Sequence, residues 1–140
     1  MAEATKGTTN PTLSTPWPSA ESLITGLYAG EDLGFADVVY LKQSDNKVWK
    51  ATGAAANAAA RAIGFTTNRC KAGDPITLIR KGSGVMIGYQ PIISAAAAPA
   101  AARLYLSGTV PGGLADAAST GGTEILAWVV GDGRICVDSA

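Results

Sequence analysis

The side chains that carry most enzyme chemistry are scarce in this sequence. Its 140 residues include no histidine, which removes the commonest general base and the commonest metal ligand. The two cysteines, Cys70 and Cys136, are far apart and form no CxxC motif, so a zinc site lacks its ligand set. Two thiols in a chain of this length are more often reduced packing residues than a disulfide. We expect that arrangement here and no metal site, while a pairing between the two cysteines stays open.

Carboxylates, lysines and serines offer a weaker route to catalysis. Four acidic residues border the first predicted strands, namely Glu31, Asp32, Asp37 and Asp45. A glycosidase-type pair needs two carboxylates that face each other across a cleft, and spacing alone does not place them so. Lys42 or Lys50 beside Ser44 is explained more simply by alternation along an exposed strand, because no histidine is present to activate the serine. We therefore expect that the chain is not an enzyme.

Glycine-rich segments resemble phosphate-binding loops in composition but not in context. Residues 81–84 and 111–113 neither fit the Walker A spacing nor open a helix after a strand. Residues 131–133 separate two apolar runs, as a hairpin turn does. All three segments predict turns, and the sequence contains no DxDxDG calcium loop. We expect no cofactor.

Composition excludes several kinds of partner. Eleven basic residues balance eleven acidic ones, so no net field attracts nucleic acid or an anionic membrane. The N-terminus lacks a basic region followed by an apolar one, and the longest apolar runs are alanine tracts shorter than the roughly 20 residues that span a bilayer. These features predict a soluble protein, made in the cytosol, that binds its partners by shape.

The first 22 residues differ from the rest and predict an extended N-terminal arm. Residues 8–19 are rich in proline and hydroxyl side chains and show no helical or strand period. The arm nevertheless carries a leucine and a tryptophan, and tryptophan is an effective interface anchor. Two placements stay open, one in which Trp17 folds back on its own domain and one in which the arm lies across a neighbouring subunit. The candidate interface residues are Pro11, Leu13, Pro16, Trp17 and Pro18.

From residue 23 onward the pattern indicates short β-strands. Residues 37–51 contain two runs rich in β-branched and aromatic residues around Ser44-Asp45-Asn46, which favours a β-hairpin. Further strands are predicted at residues 62–67, 76–80, 84–89, 103–106, 124–130 and 134–138. Seven or eight short strands with glycine at the corners predict an all-β fold, a compact barrel or sandwich. Residues 23–140 should form one such domain.

Two alanine tracts interrupt the strand pattern. Residues 54–61 have the propensity for one or two helical turns, so we expect at most a short helix there. Residues 95–102 are broken by Pro99 and predict a loop. Small side chains also let backbones approach closely, so either tract could line a contact instead of simply covering the surface.

An ordered series of short motifs resembles the capsid decoration (cement) proteins of tailed bacteriophages. The series comprises YAGEDL at residues 28–33, ADVVYL at 36–41, DNKVWKA at 45–51, ARAIGF at 60–65, AGDPITL at 72–78, GV at 84–85, ARLYLS at 102–107 and PGGL at 111–114. A closing hydrophobic hairpin follows, so the resemblance covers most of the chain. Each motif alone is common, and the specificity lies in their order. The N-terminal arm and the alanine tract at residues 95–102 lie outside the shared pattern.

The resemblance implies a β-tulip-like barrel or sandwich on the outer surface of the phage capsid. It implies a non-enzymatic structural protein of the virion, made in the host cytoplasm, that cements neighbouring subunits of the major capsid protein and stabilises the DNA-filled head. Such proteins usually form homotrimers and less often dimers, and they bind no nucleic acid and no membrane. Related domains occur in phage tails and fibres. The alternative is therefore a tail or fibre module that binds a host-surface receptor or glycan through exposed aromatics such as Tyr89, Tyr105 or Trp49.

Overall fold

The structure is a computed structural model that describes residues 3–4, 12–13, 20–89, 91–93, 96–131 and 133–138. The first seven strands in these residues are β1 (Glu3–Ala4), β2 (Thr12–Leu13), β3 (Leu23–Tyr28), β4 (Val38–Lys42), β5 (Lys47–Lys50), β6 (Gly64–Thr66) and β7 (Pro75–Arg80). The other seven are β8 (Met86–Gly88), β9 (Ile92–Ile93), β10 (Ala96–Ala97), β11 (Arg103–Leu106), β12 (Leu114–Ala115), β13 (Ile125–Gly131) and β14 (Arg134–Cys136). The predicted all-β fold is confirmed, and the two main sheets pack as a sandwich, not as a closed barrel.

The first sheet has five antiparallel strands in the order β3-β7-β6-β4-β5. Its hairpin β4–β5 is the one predicted from residues 37–51, and Asn46 in the turn has the positive φ of 57° that the turn requires. The sheet curls so strongly that its two ends meet. Ala29, directly after β3, forms a parallel bridge with Val48 of β5. The Gly30 N–H donates to the Val48 carbonyl at 2.8 Å, so both edges of this sheet are partly covered.

The second sheet has seven antiparallel strands in the order β1-β12-β11-β13-β14-β8-β2. Its two outermost strands come from the segment predicted as an arm. Glu3 and Ala4 pair with Ala115 and Leu114 of β12. At the opposite edge, β2 pairs with β8. Two-residue strands carry no readable period, so the sequence pattern did not indicate them. The division into an arm at residues 1–22 and a domain at residues 23–140 stays a prediction, although these four arm residues pair with the domain.

The core has two parts because the five-stranded sheet buries side chains on both faces. Val38 of β4 faces the space between the two sheets, where Phe65 and Leu104 are also fully buried. The next residue, Val39, faces the opposite side and packs with Leu78 in a smaller cluster inside the curl of the sheet. This arrangement explains why β4 and β7 each have two adjacent apolar residues that are buried on opposite faces, since strict alternation of polar and apolar residues requires one solvated face.

The two alanine tracts differ in how well the sequence predicted them. The short helix expected at residues 54–61 is one 3-10 turn at Ala58–Ala60, and Asn57 caps it by accepting a hydrogen bond from the Ala59 N–H at 3.1 Å. The loop expected at residues 95–102 instead contains β10, which pairs with β9. Alanine tolerates either backbone, and Pro99 ends the pairing without preventing it.

Close backbone approach explains several of the small residues. A Cβ atom on Gly121 would lie 2.2 Å from the Ala55 carbonyl oxygen, and one on Gly53 would lie 2.1 Å from the Ser119 hydroxyl. That hydroxyl donates to the Leu106 carbonyl at 3.0 Å. The first alanine tract is therefore packed against the loop that leads into β13. Residues 54–58 of the tract are otherwise exposed, and a role of either alanine tract in a contact with another molecule stays a prediction.

Candidate interaction surface

Of the five predicted interface residues, only Leu13 lies within the described residues. Its backbone belongs to β2, where Leu13 is opposite Ile87 and Thr12 is opposite Gly88. The other four, Pro11, Pro16, Trp17 and Pro18, lie outside the described residues. The predicted role of these five residues in an interface stays a prediction.

The β4–β5 hairpin presents a tryptophan whose ring is fixed on several sides. The Trp49 indole N–H donates to the Asp45 carboxylate at 3.0 Å, and Lys42 Nζ lies 4.3 Å from the ring centroid. The ring also lies over Gly30, where a Cβ atom would be only 2.2 Å from Trp49 Nε1. The hydrogen bond and the cation–π contact hold the ring in one orientation. Trp49 is therefore a rigid, partly buried feature of this surface.

The aromatic residues proposed for a receptor-binding groove are not all exposed. Tyr89 is 1% exposed and belongs to the main core, so the expectation that it is an exposed contact residue is wrong. Tyr89 follows Val85 and Ile87 at alternate positions, and all three are buried in the main core, so strand alternation places Tyr89 on the inner face. Tyr105 is partly buried on β11. The large apolar side chains that are exposed are instead Tyr28, Leu41 and Val110.

The carboxylates considered for catalysis accept hydrogen bonds from the backbone. Glu31 Oε2 accepts from the Lys50 N–H at 2.9 Å, which blocks a free donor on the edge strand β5. Asp32 accepts from the Ala72 N–H at 3.0 Å and joins two loops. The Asp45 carboxylate closes the hairpin turn through Lys47 N–H at 3.0 Å. These bonds give the acidic residues a clear architectural role.

Asp37 lines a cavity of about 170 Å³ together with residues from distant parts of the chain. The lining consists of Glu3, Ala4, Asp37, Tyr89 and residues 110–114. Two backbone hydrogen bonds fix the 110–114 loop against the hairpin. Val38 N–H donates to the Gly112 carbonyl at 3.0 Å, and Gly112 N–H donates to the Ala51 carbonyl at 2.8 Å. The cavity wall is thus built on the sandwich itself.

Among the described residues that line this cavity, the charged side chains are the carboxylates of Glu3 and Asp37. Asp37 is 8% exposed, and its Oδ2 accepts from the Gly34 N–H at 2.7 Å. Glu3 Oε1 accepts a hydrogen bond from the Thr109 hydroxyl, whereas Glu3 Oε2 is buried without a hydrogen-bond partner. Burial, followed by the charges of Asp37 and Glu3, raises the pKa of Tyr89 far above the ordinary tyrosine value. Among the described residues that line the cavity, none is basic.

A second cavity, of about 240 Å³, has side chains of both charges in its lining. It is lined by Arg61, Lys81 and Glu124 among others. Lys81 Nζ and Glu124 Oε1 form an ion pair at 3.2 Å. Neither cavity was predictable from the sequence, because the walls of each join residues that are far apart in the chain.

Both thiols are free, and they lie in different surroundings. Cys136 is buried on β14, and its Sγ lies 3.6 Å from the Gly84 carbonyl. Cys70 is partly buried and forms an isolated bridge with Leu33. Burial is the main cause that raises the pKa of each thiol above its ordinary value.

Within the part of the chain that the structure describes, no cluster of three or more acidic or cysteine side chains could hold a metal ion. No helix in the described ranges is long and apolar enough to cross a membrane. Comparison with known proteins adds no family, since no protein-family model and no curated protein sequence matches this chain.

Proposed function

We propose that this chain is a non-enzymatic structural protein of a phage virion. It binds the outer surface of the capsid and cements neighbouring subunits of the major capsid protein. The observation that carries the proposal is the ordered motif series at residues 28–114, which resembles phage decoration proteins. The motifs coincide with the strands and turns that build the sandwich. Acidic side chains within them, such as Glu31 and Asp45, bind backbone groups of that scaffold.

The surface supports attachment by shape. Tyr28, Leu41 and Val110 are exposed apolar side chains, and the formal net charge of the chain is zero. A standard protein interface buries roughly 800 Å² on each partner. When one binder spans two capsid subunits, separating those subunits also requires breaking an interface of this size with the binder. Attachment at both sites at once also raises the effective affinity. Cementing by this route requires no catalytic group.

The sheet edges support self-association into a trimer, or less often a dimer. The ends of the five-stranded sheet are partly covered through the Ala29–Val48 bridge and the Glu31–Lys50 hydrogen bond. Among the described strands, the seven-stranded sheet ends in the two-residue strands β1 and β2. Edge strands offer unpaired backbone groups to another chain. Contact between copies at these edges, or between an edge and the capsid, would cover them.

Binding to capsids that lack the decoration protein tests the proposal. Purified chain is mixed with such capsids, and the bound fraction is measured by co-sedimentation together with the temperature at which the capsids release DNA. We expect saturable binding at a fixed ratio to the capsid protein and a higher release temperature. Binding to purified tails or to host-cell glycans, with none to capsids, would instead establish the tail or fibre alternative.

The role of the arm is tested best by point substitutions. Deletion of residues 1–19 would also remove β1 and β2, and with β1 it would remove Ala4, which is buried in the core. Weaker binding of that deletion variant would therefore not identify an anchor. Trp17→Ala leaves both strands in place, and we expect it to fold normally and to bind capsids more weakly. Unchanged capsid occupancy would refute the anchor role of Trp17.

A further inference from the structure

We propose that one end of the five-stranded sheet binds an acidic segment of a partner protein, in which carboxylates flank an apolar side chain. We call this surface the basic end, and its cations are Lys42, Lys47, Arg61, Arg80 and Lys81. The inference deepens the proposed function and rests on it for the identity of the partner, which is then the major capsid protein. It names the chemistry that the partner must present at the contact.

The strand register brings these cations together, although the sequence disperses them. Lys42 ends β4 and lies directly opposite Lys47, the first residue of β5. On the other side of β4, strand β6 begins at Gly64, which pairs with Arg80 at the end of β7. Neighbouring strands lie about 4.8 Å apart, so the ends of these four strands span about 14 Å. Three of the five cations therefore lie along one edge of the sheet.

Arg61 and Lys81 extend the basic end into the second cavity, which both of them line. The Lys81 N–H donates to the Ile63 carbonyl at 3.2 Å, and Arg61 precedes Ile63 by two residues. The cavity measures about 240 Å³, which is less than the roughly 300–1,000 Å³ of most small-molecule pockets. A recess of this size beside two cations suits a single acidic side chain.

Most of the positive charge at the basic end has no carboxylate partner among the described residues. Lys81 is the exception, because its Nζ lies 3.2 Å from Glu124 Oε1. The side chains of Lys47 and Arg61 are exposed, and they form no ion pair or hydrogen bond with the described part of the chain. Like charges directly opposite each other destabilise a sheet, as with Lys42 and Lys47 here. An anion placed between the two lysines would remove that repulsion.

The carboxylates near the basic end do not neutralise it. They are those of Glu21, Asp45 and Glu124, so five cations and three carboxylates leave this end with a formal charge of +2 in a chain whose total is zero. The Asp45 carboxylate already accepts hydrogen bonds from the Trp49 indole and from the Lys47 backbone N–H. The basic end is therefore complementary to an acidic partner.

Leu41 supplies an apolar contact within the basic end. Its side chain is 45% exposed, and the residue lies opposite Val48 and beside Lys42. An apolar contact surrounded by charged groups is typical of protein interfaces. A single-stranded nucleic acid would instead need aromatic rings on which its bases could stack, and the nearby Trp49 ring already contacts Lys42. These features favour an acidic protein segment with an apolar side chain.

Two peptides that differ only in charge test the proposal on the wild-type chain. One has a leucine between two pairs of glutamates, and the other has glutamine in place of each glutamate. Both are titrated at low ionic strength and followed by the amide NMR signals of Leu41 and Ile63. We expect the acidic peptide to shift these signals at concentrations at least about tenfold lower than the neutral one, and added salt to weaken its effect. Equal effects of the two peptides, or tighter binding of a short oligothymidylate, would overturn the proposal.

Substitution of the exposed cations locates the site. Single exposed ion pairs contribute little, so we expect Lys47→Gln and Arg61→Gln each to weaken binding of the acidic peptide by about threefold, and the double variant by about tenfold. Lys71→Gln is the matched control, since Lys71 is an exposed lysine near Asp32 in the loop before β7, away from the basic end. It should leave the affinity unchanged. An equal loss in Lys71→Gln and Lys47→Gln would show a response to net charge alone and would refute the site.

Capsid binding separates failure of this proposal from failure of the proposed function. If the double variant of Lys47 and Arg61 binds capsids as tightly as the wild type does, the basic end is not the capsid contact, although the cementing role stands. If the wild type prefers the acidic peptide but binds no capsids, the basic end recognises acidic segments and the capsid partner is wrong. Weaker capsid binding by the double variant than by Lys71→Gln supports both.

Discussion

Substitution of Gly30 by alanine tests how Trp49 is held on the hairpin surface. A Cβ atom at this position would lie 2.2 Å from Trp49 Nε1 and 2.4 Å from Trp49 Cε2. The indole ring must therefore move away. It would lose its hydrogen bond to Asp45 and its contact with Lys42. Gly30 does not have a positive φ, so alanine is compatible with the backbone there. The loss of stability should therefore come entirely from displacement of the Trp49 ring.

The magnitude follows from the contacts that are lost. A hydrogen bond contributes about 0.5–1.5 kcal/mol, and an exposed cation–π contact contributes about 0.5–1 kcal/mol. The substitution also reduces the conformational freedom of the unfolded chain, which stabilises a protein by about 0.4–1 kcal/mol. We expect Gly30→Ala to lower the free energy of unfolding by about 1 kcal/mol. In a Trp49→Ala background the clash is absent, so the same change should stabilise the protein by about 0.5 kcal/mol.

Urea denaturation of the four proteins in this double-mutant cycle measures the effect. We expect Gly30→Ala to destabilise the wild type and to stabilise the Trp49→Ala protein. The coupling free energy between the two positions is then about 1.5 kcal/mol. Gly73→Ala serves as a control for backbone strain, because Gly73 has a φ of +92° and open space around it, so its cost should be the same in both backgrounds. An equal loss from Gly30→Ala with and without Trp49 would refute the described packing of the ring.

Three further predictions concern packing, ionisation and thiol access. Gly121→Ala places a methyl group 2.2 Å from a backbone carbonyl oxygen. In urea denaturation it should lower the free energy of unfolding by about 3 kcal/mol, whereas Gly73→Ala should lower it by about 1 kcal/mol. The free energy of unfolding should fall above pH 10, because tyrosine in the unfolded chain ionises at its ordinary pKa of 10.0 while folded Tyr89 stays protonated. In Tyr89→Phe, the contribution of Tyr89 to this fall should be absent when unfolding is measured between pH 10 and 12. A thiol reagent should modify the partly buried Cys70 well before the buried Cys136, and equal rates measured by mass spectrometry would contradict their placement.

The central part of the fold was predictable because its local signals agree. The β4–β5 hairpin has β-branched and aromatic residues on both sides of a turn that contains Asn46, and the structure has both strands and the positive φ. Strands β6, β7, β11, β13 and β14 follow the predicted runs closely. What the periodicity did not reveal is that β4 and β7 are buried on both faces, which depends on the curl of the sheet.

The cavity lined by Glu3 and Asp37 was not predictable, because its parts are distant in the chain. Glu3 lies in a two-residue strand, and the opposite wall is a loop more than 100 residues later. No local sequence pattern identifies a residue whose neighbours are determined by the order of strands in the sheet. The exposure predicted for Tyr89 was wrong because Tyr89 shares the inner face of its strand with Val85 and Ile87, and that face is covered by the other sheet. Only the register of the seven-stranded sheet brings these residues together.

The copy number of this chain in purified virions tests the cementing role most directly. Quantitative mass spectrometry gives the ratio of the chain to the major capsid protein, and electron cryomicroscopy of the same particles gives its position. A decoration protein should occur in hundreds of copies per particle, on the outer capsid surface and in contact with more than one capsid subunit. A handful or a few tens of copies, located at the tail, would contradict the proposed function.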